Sequence, residues 1–325
     1  MVDWIEPIVL ISKCIEFDHC RYDGSMIASD FVKKIKPFVQ FVTVCPEMQI
    51  DLGVPRKSLR LVQENEDKRL IQPDTDKDVT EKMIDFAQRF LTEHSQIHGV
   101  ILKSRSPSCG IKDVKLYAAR KNAAPVKRVA GLFGEQVVKR MNCLVESEGR
   151  LRNSIIQEHF LASIFTFADF EKVKSNAKIA DLVNFHVKNK FLFMAYNQHL
   201  LHEMGNSAAN LEKKSVESVF QEYKKLLYSL FEMPPSHKTT INVLLHLFGF
   251  VSDELSSPEK EFFLDLIEKY KREKIALNVL TQVLKSWVVR FAEPYLSQQT
   301  FFSPFPEELF EQNSSAIADT QEYWK

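Results

Sequence analysis

The sequence predicts an α/β doubly wound, Rossmann-like N-terminal domain followed by an all-α helical domain. In the first half, short apolar runs alternate with a helical pattern, which is typical of a parallel sheet covered by helices. After Arg152, apolar residues recur at helical spacing over long segments that Gly, Pro and Ser separate. We therefore expect a first domain over residues 1–153, a helical connector over 154–184 and an all-α domain over 185–325.

The strands predicted for the first half are apolar runs bounded by turn residues. They cover residues 7–12, 39–44, 99–102 and a stretch around 142–145. Residues 78–94 are predicted as an amphipathic helix, because Asp78 and Glu81 stand at capping-box spacing before an apolar-periodic segment. No Gly-x-Gly-x-x-Gly follows any predicted strand, so the usual dinucleotide-binding signature is missing.

Six helices are predicted in the second half. They cover residues 155–167, 179–204, 216–231, 239–251, 258–271 and 277–292, and helix breakers stand between several of them. The tail after Phe302, with Pro304, Pro306, Ser314 and Ser315, is predicted to be irregular.

Composition and charge narrow the class of protein. With 45% hydrophobic and 26% charged residues, the 325-residue chain has the composition of a globular protein. Because the formal net charge is zero, any nucleic-acid surface must be a local patch. Residues 112–152 are a candidate for such a patch, and a solvated helix face is the favoured interpretation over a binding surface.

The sequence predicts a cytoplasmic protein with no membrane partner. No apolar run reaches the length that crosses a bilayer, and the opening residues 1–6 carry acids where a signal peptide carries bases. The five cysteines are an odd number and all precede residue 150, which argues against a disulfide framework.

Three cysteines each follow a predicted strand. Cys14 follows the first strand, Cys45 the second and Cys109 the third. Because the carboxyl ends of parallel strands meet at one edge of a sheet, we expect these three thiols to converge. A zinc knuckle would more often show a close Cys-x2-Cys pair, and none is present. The alternative is that each is an inert buried cysteine.

A carboxylate and several hydroxyls stand close to these cysteines in sequence. Glu47 follows Cys45 by two residues across a proline that restricts the turn. Three serines precede Cys109, namely Ser104, Ser106 and Ser108. Their hydroxyls are candidates to orient a substrate or relay a proton, and the alternative is a hydrogen-bonded turn, where serine is common.

Several segments, in order along the chain, resemble the thiouracil desulfurase (desulfidase) family of DUF523 type. They are ISKC (11–14), CRYDG (20–24), VCPEM (44–48), LGVPR (52–56), DVT (78–80), LKSRSPSCG (102–110) and EGRL (148–151). The second half resembles the DUF1722-type helical domain that is often fused to it. The segments there are KFLFMAY (190–196), NVLLHLFGF (242–250), YLSQQ (295–299) and PFPEEL (304–309). Glu16 and Asp51 depart from the family pattern, since relatives commonly have glycine there.

The resemblance implies a 4Fe-4S cluster held by Cys14, Cys45 and Cys109, with one iron lacking a protein ligand. It also implies a hydrolytic reaction without net electron transfer, in which thiocarbonyl and water give carbonyl and sulfide. Glu47 is the candidate for handling the protons, and Ser106 and Ser104 are preferred to Ser108 as its helpers. No ligand role is expected for Cys20 or Cys143.

The fused arrangement is similar to that of tRNA 4-thiouridine desulfidases, in which the helical domain helps to bind RNA. Thiolated uridine in tRNA is therefore the favoured substrate, and no DNA partner is expected. The plausible phosphate contacts are Lys188, Lys190, Lys224, Lys225, Lys271, Arg272 and Lys274. Two alternatives stay open: a desulfurase of free thiouracil or thiolated nucleotides, and a non-catalytic metal-binding protein whose helical half binds a protein partner.

Overall fold

The computed structural model describes residues 4–310, and the chain divides into two units. Within the described residues, the first unit comprises residues 4–168 with 306–310, and the second unit is Asp169–Phe305. The predicted domain boundaries after residues 153 and 184 stay a prediction. The predicted irregular tail is described to residue 310, and its remainder lies outside the described residues.

Two sheets form the frame of the first unit. Within residues 4–310 the strands are β1 (Ile8–Ser12), β2 (Gln40–Val44), β3 (Arg60–Glu64), β4 (Asp67–Gln72), β5 (Lys77–Asp78), β6 (Gly99–Leu102), β7 (Val114–Tyr117), β8 (Pro125–Val129) and β9 (Leu144–Ser147). The first sheet has the order β2-β1-β6-β9, and all of its strand pairs are parallel. This confirms the predicted α/β fold with a parallel sheet.

Strand β1 lies in the interior of the parallel sheet, between β2 and β6. Its residues Val9, Leu10 and Ile11 are fully buried. An unbroken apolar run is expected for a strand that is covered on both faces, and for this reason the strand could be predicted from the sequence. Burying one such side chain stabilises the fold by about 2 kcal/mol.

The second sheet has the order β5-β4-β3-β7-β8 and is mixed. Strands β3 and β4 form an antiparallel hairpin, β3 and β7 are parallel, and β7 and β8 are antiparallel. Sequence analysis did not predict this sheet, because its strands carry many charged residues and show no continuous apolar run. Lys115, Lys127 and Arg128 therefore lie on strands, and the helix-face interpretation of the basic segment was wrong for them.

Four short or medium helices and the start of a fifth complete the first unit. They are α1 (Asp30–Ile35), α2 (Pro46–Gln49), α3 (Thr80–Glu93), α4 (Leu132–Arg140) and α5 (Ser154–Ser175), with 3-10 turns at Lys36–Phe38 and Arg150–Arg152. Helices α3 and α4 pack through aromatic rings, since Phe86 stacks on Phe133 with 6.0 Å between centroids. At the start of α3, Asp78 accepts a hydrogen bond from the Thr80 N–H, while Glu81 pairs with Arg69 rather than closing a capping box.

The second unit is helical, as predicted. Besides the end of α5, its described helices are α6 (Ile179–Lys188), α7 (Lys190–Tyr196), α8 (Gln198–Ala209), α9 (Val216–Leu230), α10 (His237–Val251), α11 (Ser257–Lys271), α12 (Leu277–Arg290) and α13 (Pro294–Ser297). Three 3-10 turns lie at Ser252–Glu254, Thr300–Phe302 and Glu307–Leu309, the last in the first unit. None of the helices in residues 4–310 is both long and apolar enough to span a membrane.

The single helix predicted over residues 179–204 is divided into α6, α7 and α8. Asn189 and Asn197 stand at the two breaks. The side chain of Asn197 accepts hydrogen bonds from the N–H groups of His199 and Leu200, at 2.9 and 3.1 Å. Asparagine at a helix N-cap satisfies backbone donors in this way, so it starts a new helix instead of continuing the old one.

Candidate active site

The three cysteines predicted to converge follow three adjacent strands of the parallel sheet. Cys14 comes two residues after β1, Cys45 directly follows β2, and Cys109 lies in the turn that follows β6. Because β2, β1 and β6 are neighbours and parallel, their carboxyl ends stand side by side. The backbone joins two of these ends directly, since the Lys13 N–H donates to the Val44 carbonyl at 2.7 Å.

A fourth thiol, that of Cys20, lies among them. It interacts with the side chains of both Cys14 and Cys45, and Cys45 in turn lies within electrostatic range of Cys109. The loop that carries Cys20 folds back because Ile15 and Ile27 form an isolated parallel bridge. We refer to Cys14, Cys20, Cys45 and Cys109 as the cysteine site. Cys143 is buried elsewhere, as expected for a small apolar side chain.

Three of these thiols are disfavoured as thiolates. Hydrogen bonding with Cys14 raises the pKa of Cys20 to about 11. Hydrogen bonding with Cys20, followed by burial, raises the pKa of Cys45 well above its usual range. Burial raises the pKa of Cys109 in the same way. A metal that binds these sulfurs must displace their protons, so its binding becomes more favourable as pH rises.

The turn that carries Cys109 is built around Ser106. The Ser106 hydroxyl oxygen accepts hydrogen bonds from the N–H groups of Ser108 and Cys109, at 3.3 and 3.1 Å. The Ser106 carbonyl accepts from the N–H of Gly110 at 2.8 Å. The hydrogen-bonded turn proposed as the alternative role for serine is therefore present at Ser106, and it fixes the backbone at the cysteine.

Backbone groups at the N-terminus of helix α4 support the turn that carries Cys109. The N–H groups of Gly131, Leu132 and Gly134 donate to carbonyls of the 107–110 segment. A Cβ on Gly131 would stand 2.5 Å from the carbonyl oxygen of Ser108, and one on Gly134 would collide with that of Gly110. Both glycines are therefore required by close backbone approach. Sequence analysis did not identify this support, because the two segments are about twenty residues apart.

Glu47 is held in one orientation from two sides. The Ser108 hydroxyl donates to its Oε1 at 2.8 Å, and Nε and Nη2 of Arg56 both reach Oε2 at 2.7 Å. The Arg56 side chain is 4% exposed and that of Glu47 13%. Arg56 also donates to the carbonyls of Cys20 and Gly53, at 3.1 and 2.9 Å. Charge-assisted hydrogen bonds of this kind are short and strong, so the carboxylate is fixed beside Cys45.

Ser104 belongs to a separate group of polar side chains. Its hydroxyl and its N–H donate to the two carboxylate oxygens of Glu148, at 2.8 and 2.7 Å, and Lys103 pairs with the same carboxylate at 2.8 Å. Burial raises the pKa of Glu148, but these hydrogen bonds outweigh it and hold the pKa below the usual range. The buried hydroxyl of Ser12 links this group to the cysteine site, because it accepts from the Lys103 N–H at 3.0 Å and hydrogen-bonds Cys109.

The structure therefore brings Glu47 and Ser108 together beside the cysteines, places Ser106 within the ligand turn and directs Ser104 toward Glu148. Sequence reasoning missed the roles of Arg56 and Ser12, whereas Cys20, six residues after Cys14, was expected to be near enough to line the site. A signal for Arg56 was present, since a buried carboxylate at Glu47 requires a cationic partner and LGVPR contains one.

The two departures from the family pattern occupy backbone conformations that favour glycine. Glu16 has φ +65° and Asp51 has φ +63°. The Glu16 carboxylate accepts a hydrogen bond from the Ser29 N–H at 2.6 Å, at the start of α1, and lies 3.7 Å from the Lys33 ammonium. It is thus engaged in capping a helix, and no ligand is lost.

No three His, Cys, Asp or Glu side chains among residues 4–310 stand in the arrangement that one metal ion requires. In an iron-sulfur cluster each thiolate binds a different iron, so its ligands surround the cluster and do not meet at one point. Soft thiolates are the ligands that such clusters take from proteins, and the donor set of the cysteine site fits that chemistry.

Comparison with known proteins found two family matches. Residues 9–148 match the family described as 2-thiouracil desulfurase, and residues 190–306 match a family described as a protein of unknown function, DUF1722. The first match contains all four residues of the cysteine site and Glu47. The second falls mostly within the helical unit.

Three individual proteins are similar over part of the chain. An uncharacterised protein of Bacillus subtilis, YbbK, is 32% identical over 110 residues, which cover 32% of this chain and 73% of YbbK. An uncharacterised protein of Escherichia coli, YbgA, is 21% identical over 159 residues, which cover 48% of this chain and 94% of YbgA. The solved structure of a [4Fe-4S]-dependent thiouracil desulfidase, TudS, is 21% identical with a TM-score of 0.36, and the similarity covers 45% of this chain and 94% of that one.

Proposed function

Because this chain belongs to the 2-thiouracil desulfurase family, with a DUF1722 domain fused to it, we propose that it replaces the sulfur of a thiolated uracil with oxygen. The favoured substrate is 4-thiouridine in tRNA. The reaction is hydrolytic and balanced without electrons: one thiocarbonyl and one water give one carbonyl and one hydrogen sulfide. The observation that carries the proposal is the placement of Cys14, Cys45 and Cys109 after three adjacent parallel strands, with the fixed Glu47 carboxylate beside them.

The proposal includes a 4Fe-4S cluster held by Cys14, Cys45 and Cys109, with one iron lacking a protein ligand. When bound, such a cluster supplies a Lewis-acidic iron with affinity for the soft sulfur of a thiocarbonyl. Cys20 stands among the three ligands as a further thiol, and its carbonyl is already engaged by Arg56. If the cluster has three protein ligands, substitution of Cys20 should leave it in place. If Cys20 is a fourth ligand, the same substitution should remove it.

Glu47 is the residue assigned to the protons. In this assignment its carboxylate accepts a proton from the water that attacks the ring carbon, and returns it to the departing sulfide. The bonds from Arg56 and Ser108 hold the carboxylate in one orientation, which favours proton transfer from a water positioned beside it. Ser108, which contacts Glu47, belongs to the turn that carries Cys109. The Ser106 hydroxyl fixes the backbone of that turn. Ser104 acts with Lys103 and Glu148 at the neighbouring strand end.

The decisive experiment is anaerobic purification followed by iron and sulfide analysis, with thiolated tRNA and free thiouracil incubated in parallel. We expect roughly four irons per chain. Loss of the thiocarbonyl absorbance should be accompanied by one sulfide released per thiocarbonyl lost. A cluster-loaded protein that releases sulfide from neither substrate would refute the proposal, and stoichiometric zinc in a colourless protein would refute its cofactor.

A further inference from the structure

A cavity of about 280 Å³ lies on the face of the mixed sheet, next to the turn that carries Cys109. Its lining is strongly basic. The residues that line it are Leu59, Arg60, Leu61, Arg105, Pro107, Asp113, Val114, Lys115, Tyr117 and Arg128. We call this cavity the sheet pocket. It is distinct from the cysteine site, since none of the four cysteines and neither oxygen of Glu47 contributes to its lining.

Three cations stand in a row across adjacent strands of the pocket. Lys115 on β7 is the direct cross-strand partner of Arg128 on β8. Because Leu61 on β3 is paired with Leu116 on β7 in parallel register, Arg60 lies opposite Lys115 on the other side. Like charges directly opposite one another destabilise a sheet. The protein therefore bears an electrostatic cost at this place, which a bound anion would relieve.

The positive charge of the pocket is poorly matched from within the protein. Asp113 provides the one carboxylate among the described lining residues, and both of its oxygens accept from the Arg105 N–H at 3.0 Å. The side chains of Arg105 and Lys115 form no hydrogen bond or ion pair with any residue between 4 and 310. Their donors are thus free for a ligand.

Two features of the pocket favour a multidentate anion that lies near the reacting group. The Arg60 guanidinium lies 4.1 Å from the centroid of the Tyr117 ring, which orients it, and its Nη1 donates to the Arg120 carbonyl at 3.5 Å. Arg105, with φ +58°, and Pro107 belong to the same turn as Cys109. A phosphate in the pocket would therefore adjoin the turn that bears a ligand of the cysteine site.

The cations of the helical unit offer a weaker alternative. Lys188 pairs with Asp169 at 2.8 Å, and Lys224 pairs with Glu171 at 2.5 Å. Lys271 pairs with its helix neighbour Glu268. Three of the lysines predicted to contact phosphate are thus already matched by acids, whereas the sheet pocket is not.

We propose that the sheet pocket binds backbone phosphate of an RNA strand beside the nucleotide whose base is desulfurated. This rests on the proposed function and specifies its substrate class: a polynucleotide, recognised by its phosphates on the catalytic unit itself. Arg and Lys side chains are the usual contacts of nucleic-acid phosphates, and such contacts position a substrate without reading its sequence.

The test is the binding of an unthiolated tRNA transcript to the full-length protein, measured by fluorescence anisotropy over a range of salt concentrations. The variant is Lys115→Gln with Arg128→Gln. Because two phosphate contacts are removed, we expect affinity at ~0.1 M salt to fall about tenfold and the salt slope to fall by about 1.5. The matched control is Lys82→Gln with Arg89→Gln, which removes the same charge from the exposed face of α3 and should leave both quantities close to wild type.

Activity assays then distinguish the phosphate of an RNA strand from the phosphate of a single nucleotide. The variant should lose turnover on thiolated tRNA at low substrate concentration, while free thiouracil, which has no phosphate, reports that the cysteine site is intact. Unchanged RNA affinity, or an equal loss in the control, would overturn the proposal. A raised KM for thiolated uridine monophosphate with unchanged RNA affinity would overturn it in favour of a mononucleotide site. If the wild type desulfurates nothing, the proposed function fails, yet the anisotropy measurement still decides whether the pocket binds RNA.

Discussion

The Arg56 guanidinium holds the Glu47 carboxylate through two nitrogens, each 2.7 Å from Oε2. Both side chains are nearly buried, and the two residues are nine positions apart in sequence. Arg56 also contacts the carbonyl of Cys20. One arginine thus connects the proposed proton-handling residue to the loop that closes the cysteine site.

Removal of this arginine should destabilise the first unit. In Arg56→Met the Glu47 carboxylate is left buried without its cationic partner, so we expect the free energy of unfolding to fall by about 3 kcal/mol. Urea denaturation measures the change. Arg290→Met is the matched control, because Arg290 pairs with Glu259 at 2.8 Å on the surface, where a pair contributes at most about 1 kcal/mol. Equal losses in the two variants would show that burial of Arg56 carries no special stability.

Substitution of Glu47 should separate chemistry from assembly. Glu47→Gln preserves the shape of the side chain but removes the base, and its single amide oxygen can accept either from Ser108 or from Arg56, not from both. We expect the visible spectrum of the cluster to be retained and kcat to fall by roughly two orders of magnitude or more. Steady-state kinetics on free thiouracil provide the measurement. Turnover equal to that of the wild type would reduce Glu47 to a residue that orders the loop.

Substitution of each cysteine should reveal the ligand set. Cys14→Ser, Cys45→Ser and Cys109→Ser should each lose iron and activity, because each removes one thiolate from a set of three. Cys143→Ser, a buried cysteine outside the cysteine site, should retain both. Cys20→Ser is the informative variant: we expect it to keep roughly four irons. Iron loss in Cys20→Ser as complete as in Cys14→Ser would show a fourth ligand and contradict the open iron.

Sequence patterns predicted the strands that are buried on both faces and the helices whose apolar residues recur at short, regular spacing. The apolar run of β6 was predicted with its observed bounds, because a strand inside a parallel sheet has no solvent-facing side. The prediction that Cys14, Cys45 and Cys109 each follow a strand depended on the same kind of apolar run. Strand β8, by contrast, reads Pro-Val-Lys-Arg-Val and is largely exposed, so no periodic signal distinguishes it from a loop.

The side-chain partners could not be predicted, since they depend on which strands are neighbours. Ser104 and Glu148 are 44 residues apart, and they meet because β6 pairs with β9. Ser108 reaches Glu47 across 61 residues because β1 pairs with both β2 and β6, which brings the carboxyl ends of those two strands to the same edge. Sequence analysis identified Ser104, Ser108 and Glu47 as candidates, but not Glu148, and only the strand register assigns Ser108 rather than Ser104 to Glu47.

Helix α4 provides a test of how the ligand turn is positioned. In Gly134→Ala the added methyl group collides with the carbonyl of Gly110, so the turn must move away from the helix. We expect reduced iron content and a lower melting temperature. Gly249→Ala is the matched control, because a Cβ there meets nothing within 4 Å and alanine favours a helix interior by up to about 1 kcal/mol. Retention of full iron content in Gly134→Ala would show that the turn does not depend on this contact.

The stability of the helical unit should depend on pH through His186. Burial lowers the pKa of His186 to about 4, helped by the charges of Lys190 and His202, and its Nδ1 lies 3.1 Å from the Tyr223 hydroxyl. The folded state therefore prefers the neutral imidazole. The stabilisation is fully present above the unfolded pKa near 6.5 and is lost as pH falls from there toward 4, at no more than about 1.4 kcal/mol per pH unit.

His186→Gln keeps a hydrogen-bonding side chain opposite Tyr223 but cannot titrate. Its urea-unfolding midpoint should therefore change less than that of the wild type between pH 7 and pH 5, when far-UV circular dichroism follows the helical signal. His199→Gln is the control, because His199 is exposed on α8 and its replacement should leave the pH profile as it is in the wild type. A wild-type profile that is flat over this range, or one that His186→Gln reproduces without change, would show that protonation of His186 is not coupled to unfolding.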